Sequence, residues 1–326
     1  MGSMRILVYG AGGIGLYFAG RLAQRGHAVT LKGRASTVEA AADGPLRLQT
    51  EKGVEEIRGV QVVDDCALGR AEEGAAEGFD LVVLATKTWQ VSAAVVEVAA
   101  HLTAGGLVLT TQNGISAPAD AARAVAPDRV LAGAVVVIAQ RTAPMEVKLV
   151  GAEASLTLGC PEGSEPGGAR AVIEALSGAG IATTWTDDIT SALWKKLALI
   201  ASYGGVGALG RATVGEMREV PETADLVRRA LAEAVEVGNL CGARLSAADV
   251  DDLMRIFAQG FSGDTTASLQ RDLAQGLPSE LAHQSGAVVR AAEAAGADAP
   301  IHRTIYAALL PQEPAEHRAR LRAMLA

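Results

Sequence analysis

Three groups of residues have the types and spacing to do chemistry. The first is GAGGIG, with Gly10, Gly12 and Gly15 at GxGxxG spacing and Gly13 and Ile14 completing the loop. It follows an apolar run, Arg5 to Tyr9, and opens an amphipathic stretch carrying Leu16, Ala19, Leu22 and Ala23. A strand that turns through glycines into a helix offers free N–H groups and a positive dipole end to phosphates. Gly10 permits the tight turn, Gly12 lets a pyrophosphate approach the backbone, and Gly15 lets helix and strand pack closely. The second group is Lys32-Gly33-Arg34, where the next strand ends. A free ribose 2′-OH usually meets an Asp or Glu there. Two cations stand there instead, and an Arg fork suits a 2′-phosphate bidentately. NADP(H) is therefore the expected cofactor, with Arg34 as the main contact and Lys32 as accessory. The third group is Lys195-Lys196 inside the apolar stretch SALWKKLALIASY. Hydride transfer to a carbonyl builds negative charge on oxygen, which must be polarised and protonated. On a helix the two lysines diverge by about 100°. Lys196 lines up with Ile200 and Gly204, on a face with no other charge. It reads either as a proton donor whose pKa burial has lowered or as a snorkelling lysine at a helix rim.

These groups need a parallel sheet to position them. Arg5–Tyr9, Ala28–Leu31, Phe79–Thr86 and Leu107–Thr111 read as buried strands, with a helix predicted over Val91–His101 and broken by Gly105-Gly106. In such sheets ligands lie beyond the carboxyl ends of the strands. That puts Lys87 and Asn113 on the ligand side. Leu46–Gln49 and Glu55–Val63 read as strands about a turn at Lys52-Gly53. Val130–Cys160 is expected to extend the sheet in antiparallel fashion. After Trp185 strand signals stop and helical periodicity runs on, including a predicted helix over Leu281–Ala295 and the N-terminal signature Ser246-x-x-Asp249. The expected fold is α/β: a Rossmann-type dinucleotide-binding domain over residues 4–186, followed by an all-α domain over residues 187–326.

Bulk properties exclude several classes. The chain has 326 residues and a net charge of −8, which argues against nucleic acid as partner. Cys66, Cys160 and Cys241 lie far apart with no metal-ligand spacing, so each is expected to be a small buried hydrophobe in a reducing cytoplasm, with no metal site. No signal peptide and no membrane span are expected.

GAGGIG, ATKTWQ (85–90), QNG (112–114), ALWKKLA (192–198) and SLQRDLAQGLPSE (268–280) occur in that order. Together they resemble the ketopantoate reductase family over essentially the whole chain from Met4. The resemblance implies NADPH-dependent reduction of a 2-oxo acid. It also implies that Lys196 and Glu280 are catalytic, that Ser268 binds substrate, and that Lys87 and Asn113 lie on the cofactor side, with Asn113 reaching the substrate as well. The family's asparagines correspond to Ile200, Gly204 and Thr265 in this sequence. Losing polar partners relaxes or redirects the choice of substrate. The expectation is a less polar or bulkier 2-oxo acid, with ketopantoate itself, a related imine or a non-catalytic NADP(H)-binding role as alternatives. Gly204 is expected to open volume. A homodimer is a further expected assembly.

Overall fold

The computed structural model describes residues 2–64, 78–161 and 163–325. Cys66 lies outside the described residues. The chain divides into two compact units: 1–112 with 116–189, and 113–115 with 190–326.

The first unit is built on β1 (Arg5–Tyr9), α1 (Gly13–Gln24), β2 (Ala28–Lys32), α2 (Ala35–Asp43), β3 (Leu46–Thr50), β4 (Gly53–Ile57), β5 (Val60–Val63) and β6 (Phe79–Leu84). It continues through α3 (Val91–Ala99), β7 (Leu102–Thr110), α4 (Ala117–Ala121), β8 (Val130–Val136), β9 (Ala139–Ala143), β10 (Glu146–Leu149), β11 (Ser155–Gly159), α5 (Ala169–Gly178) and β12 (Ala182–Trp185). Eight strands form one sheet in the order β12-β11-β8-β7-β6-β1-β2-β5. Every pairing in it is parallel except β8 with β11. Both faces of this sheet are covered, which is why the middle of β1, Ile6 to Val8, is apolar and buried. Ile6 and Val8 pack with Leu16 and Phe18 of α1. Leu7 points the other way, into a cluster with Val91 and Val95 of α3.

The structure corrects four expectations about this unit. The single strand expected over Glu55–Val63 is two: β4 pairs with β3, and β5 pairs with β2 in the eight-stranded sheet. Strand β8 runs parallel to β7, so only β11 enters antiparallel. Strands β9 and β10 join the β3–β4 hairpin in a separate four-stranded sheet, β4-β3-β10-β9. Gly105 and Gly106 do not break a helix; they lie inside β7, where its register with β6 shifts. A Cβ on Gly106 would stand 2.4 Å from the Phe79 carbonyl oxygen, so glycine lets the irregular strand pass.

No strand is described in the second unit; besides 3-10 turns it holds α6 (Ile189–Gly210, of which the unit takes all but the first residue), α7 (Val214–Glu219), α8 (Pro221–Leu240), α9 (Ala247–Gln259), α10 (Ser268–Ala274), α11 (Ser285–Ala294), α12 (Pro300–Leu309) and α13 (Ala315–Leu325). The single helix expected over Leu281–Ala295 is instead a 3-10 turn, Leu281–His283, followed by α11. Ser246 caps α9, with Asp249 returning to the Ser246 N–H at 2.8 Å. The core gathers Trp194, Leu197, Ala201, Leu231, Phe257 and Leu281. Cys160 is buried as expected, but Cys241 is exposed just beyond α8. Among the described residues no helix is long and apolar enough to cross a membrane.

Candidate active site

In the first unit the glycine loop joins β1 to α1. Gly10 has φ +115°, and a Cβ there would lie 2.9 Å from the Ala85 carbonyl oxygen, so only glycine suits the turn. A Cβ on Gly15 would stand 1.8 Å from the Gly10 carbonyl oxygen, which fixes glycine where helix meets strand. A Cβ on Gly13 would stand 2.0 Å from the Ala139 carbonyl oxygen, so its part in the loop is packing. Gly12 differs: a Cβ there would meet only the Ala85 oxygen, at 4.0 Å. The loop is open at that residue, the N-cap of α1, and the first turn of α1, which Ile14 helps form, carries no acid. An open backbone at a helix start with no competing carboxylate suits a pyrophosphate.

At the end of β2 the two cations part company. Lys32 is buried, its Nζ 2.6 Å from Glu97 Oε1, 2.5 Å from Tyr9 Oη and 4.0 Å from the centre of the Tyr9 ring. Its expected accessory role toward a phosphate is therefore corrected: it neutralises a carboxylate on α3. Arg34 is exposed in extended backbone immediately before α2, whose first turn also has no acid. Lys87 follows β6, and its N–H faces Gln90 Oε1 at 3.3 Å. Gln112 steadies that loop by donating to the carbonyls of Leu84 and Thr86 at 2.8 and 3.1 Å.

In the second unit α6 carries three consecutive side chains in three directions. Trp194 is buried against α8, where a Cβ on Gly238 would lie 2.9 Å from the indole. Lys195 Nζ reaches Asp249 Oδ1 at 2.7 Å and holds that carboxyl down at about 2. Lys196 is left on the remaining face. Its Nζ is buried and has no hydrogen-bond partner among the described residues. Burial lowers its pKa to about 8, and the Glu280 carboxylate opposes that fall. Glu280 is buried where the 3-10 turn begins, and its Oε2 accepts from Asn113 Nδ2 at 3.4 Å. Lys196, Glu280 and Asn113 thus come together within this unit, although 167 residues separate Asn113 from Glu280. An ammonium with unused donors beside a carboxylate can polarise a carbonyl oxygen and give it a proton.

The residues expected on the substrate side lie along α6 and before α10. Ile200, one turn from Lys196, packs partly buried against the core. Gly204 does not open volume, contrary to expectation: a Cβ there would stand 2.9 Å from Ala267 Cβ. The helix instead closes on the segment that leads into Ser268, the first residue of α10. Thr265 fixes that segment, its carbonyl accepting from Val214 N at 2.9 Å.

Sequence reasoning missed three residues around Glu280. Ser279 and Glu313 are buried and hydrogen-bonded to each other. His283, next along the turn, is held near pKa 4 by burial, then by the Arg290 and His317 charges, so it is neutral at physiological pH. Only the three-residue spacing from Glu280 could have drawn attention to His283.

The family described as ketopantoate reductase PanE/ApbA matches residues 6–163, and its C-terminal part matches residues 188–313. The 2-dehydropantoate 2-reductase of Halobacterium salinarum is 30% identical over 304 residues, covering 93% of this chain and 96% of that protein. The crystal structure of a PanE/ApbA family ketopantoate reductase from Ralstonia eutropha superposes with a TM-score of 0.83 at 26% identity, over 95% of this chain and 98% of the other. A ternary structure of D-mandelate dehydrogenase with NADH and anilino(oxo)acetate shares the fold, with a TM-score of 0.86 at 20% identity over 98% and 100% of the two chains.

Proposed function

The chain belongs to the ketopantoate reductase family, and from that premise we propose that it reduces the carbonyl of a 2-oxo acid to a hydroxyl at the expense of NADPH. The observation that carries the reading is the buried, unpartnered Lys196 ammonium facing Glu280. The loop Gly10–Gly15 would hold the pyrophosphate and Arg34 the 2′-phosphate, with Lys87 beside them. NADPH, when bound, supplies the hydride that adds to the carbonyl carbon. Lys196 donates hydrogen bonds to the carbonyl oxygen, so the charge that develops there meets a cation in a dry site. Its proton passes to that oxygen as the C–O double bond becomes single, giving a 2-hydroxy acid and a neutral amine that solvent reprotonates. Glu280 keeps the amine charged between turnovers, and Asn113 holds the Glu280 carboxylate. Ser268 is suited to the substrate carboxylate.

The substrate we favour has a side chain less polar than that of ketopantoate, because Ile200 presents hydrocarbon one turn from Lys196. The closed packing of Gly204 on Ala267 gives no support for a bulkier one. Ketopantoate is the second reading, favoured by the 30% identity to the Halobacterium salinarum enzyme. The separated cysteines support a reducing cytoplasm as the place of work. Leu240 and Ile256, exposed on α8 and α9, support self-association as a homodimer.

The test follows NADPH absorbance with ketopantoate beside 2-oxo acids graded in size and polarity. Turnover is expected, and Lys196→Ala is expected to cost about 10²–10⁴-fold while NADPH still binds. Full activity in Lys196→Ala sinks the mechanism.

A further inference from the structure

The residue that precedes Glu280 is held by a carboxylate that the reaction above does not use. Glu313 follows a 3-10 turn, Leu310–Gln312, and comes just before α13. Its side chain is completely buried. Taking a carboxylate out of water is costly unless its oxygens are paired, and an apolar side chain would fill the same space more cheaply. Both oxygens of Glu313 are spent on one residue. Oε2 accepts from the Ser279 N–H at 3.1 Å, and Oε1 accepts from the Ser279 hydroxyl. The same hydroxyl accepts from Leu281 N at 3.1 Å, so it bridges across Glu280. The Ser279 carbonyl faces His317 Nε2 at 3.2 Å, and that ring nitrogen stands 4.0 Å from Glu313 Oε2. Every polar atom of Ser279 is therefore engaged.

The rest of the turn is pinned as well. The Glu280 carbonyl accepts from the N–H groups of His283 and Gln284, both at 2.9 Å. Arg290 donates to the Ala282 carbonyl at 2.7 Å. Glu313 itself is fixed by Arg318, which donates to the carbonyls of Glu313 and Pro311. Besides Glu280 itself, the charged and titratable groups around the turn are thus Lys196, His283, Arg290, Glu313, His317 and Arg318. Among these supports Glu313 is the one that grips the residue directly before Glu280 through two bonds at once.

We propose that Glu313 is a positioning residue: by clamping the hydroxyl and amide of Ser279 it fixes the Glu280 carboxylate toward Lys196. This rests on the roles given above to Glu280 and Lys196. A loosened Glu280 would oppose the desolvation of Lys196 less effectively, and the lysine would lose its proton at lower pH.

The experiment compares full-length wild type, Glu313→Gln and Ser279→Ala. Glu313→Gln keeps the volume and one acceptor; Ser279→Ala removes a single bridging oxygen. The first readout is the pH profile of kcat with whichever 2-oxo acid the wild type reduces. In Glu313→Gln we expect kcat to fall about tenfold, the penalty of slight misplacement in a preorganised site. The KM for NADPH stays within about twofold. The alkaline limb moves to lower pH, and Ser279→Ala changes both kcat and the limb in the same direction but less. The second readout needs no turnover: NMR titration of isotope-labelled Lys196 in each protein. If the wild type reduces nothing, the reading of the reaction fails, yet the titration still judges the clamp. A lower Lys196 pKa in the variants upholds the proposal. An unchanged Lys196 pKa, with only a lower Tm, assigns Glu313 a merely structural role and overturns it. Should Glu313→Gln fail to fold, Ser279→Ala decides by the same criteria.

Discussion

Lys196 carries a charge whose cost and use have the same origin. Its Nζ is out of water with no hydrogen-bond partner among the described residues, and burial brings its pKa to about 8. An ordinary lysine titrates near 10.4, so the proton is bound too weakly for a structural cation and about right for a donor at neutral pH. Reduction needs the ammonium, so kcat is expected to be flat below neutral pH and to fall through an alkaline limb near pH 8. Stability gives an independent check. The folded-state pKa lies below the unfolded one, so between about pH 8 and 10.4 the unfolded chain holds a proton the folded chain has released. Stability contributed at this site therefore rises with pH across that window. Lys196→Met removes the cost and is expected to be more stable than wild type at pH 7 by up to about 3 kcal/mol, with the gain vanishing above about pH 10.4. Urea unfolding at pH 7 and pH 10.5 measures it, and a pH-independent difference would contradict the assignment. This lysine was legible in the sequence because a charge in an apolar helical stretch asks for a reason. Glu313 was not, because its partner Ser279 lies 34 residues away and nothing local to either residue announces the bond.

At the scale of elements, one glycine means opposite things depending on what faces it. The period of α6 correctly lines up Lys196, Ile200 and Gly204. It cannot say whether the missing side chain at 204 leaves space or permits contact. The structure answers with Ala267, 2.9 Å from where the Cβ would be. Gly204→Asn is therefore expected to destabilise by about 1–3 kcal/mol through overpacking, seen as a lower urea midpoint. Ile200→Asn sits where the core is only partly closed and should fold. If the apolar wall sets specificity, it will shift kcat/KM toward hydroxylated 2-oxo acids by about tenfold, the worth of one hydrogen bond. An unchanged ratio between hydroxylated and plain acids would remove Ile200 from the specificity argument. The same dependence on distant partners explains what was misread in the first unit. The β3–β4 hairpin was legible from its turn at Lys52-Gly53. That β9 and β10 join it, rather than the main sheet, rests on β10 pairing with β3 about 100 residues earlier in the chain.

In the proposed function the tasks of holding a dinucleotide and moving a proton fall to different units. The glycine loop and Arg34 belong to one unit; Lys196, Glu280 and Ser268 belong to the other. The loss of strand signals after Trp185 foretold the change of class, and the second unit starts at Thr190. That Asn113–Ile115 group with the helices was not legible, because a three-residue stretch after a strand has no periodicity of its own. Each unit has its own core, so ligand binding is expected to register in the stability of the first. NADPH at about 100 times its Kd adds about 2.7 kcal/mol, which for a unit of this size raises Tm by roughly 5–10 °C. The cofactor preference follows from the same scan. With Lys32 committed to Glu97, the proposed reading of the 2′-phosphate rests on Arg34 among the residues singled out at the end of β2. A charged hydrogen bond of this kind is worth about 1.5–3 kcal/mol, or roughly ten- to a hundredfold in Kd. Wild type should therefore shift more with NADPH than with NADH at equal concentration, and in Arg34→Ala the two shifts should become alike. Equal shifts in the wild type would mean that the strand end does not read the phosphate, and the preference for NADPH would have to be abandoned.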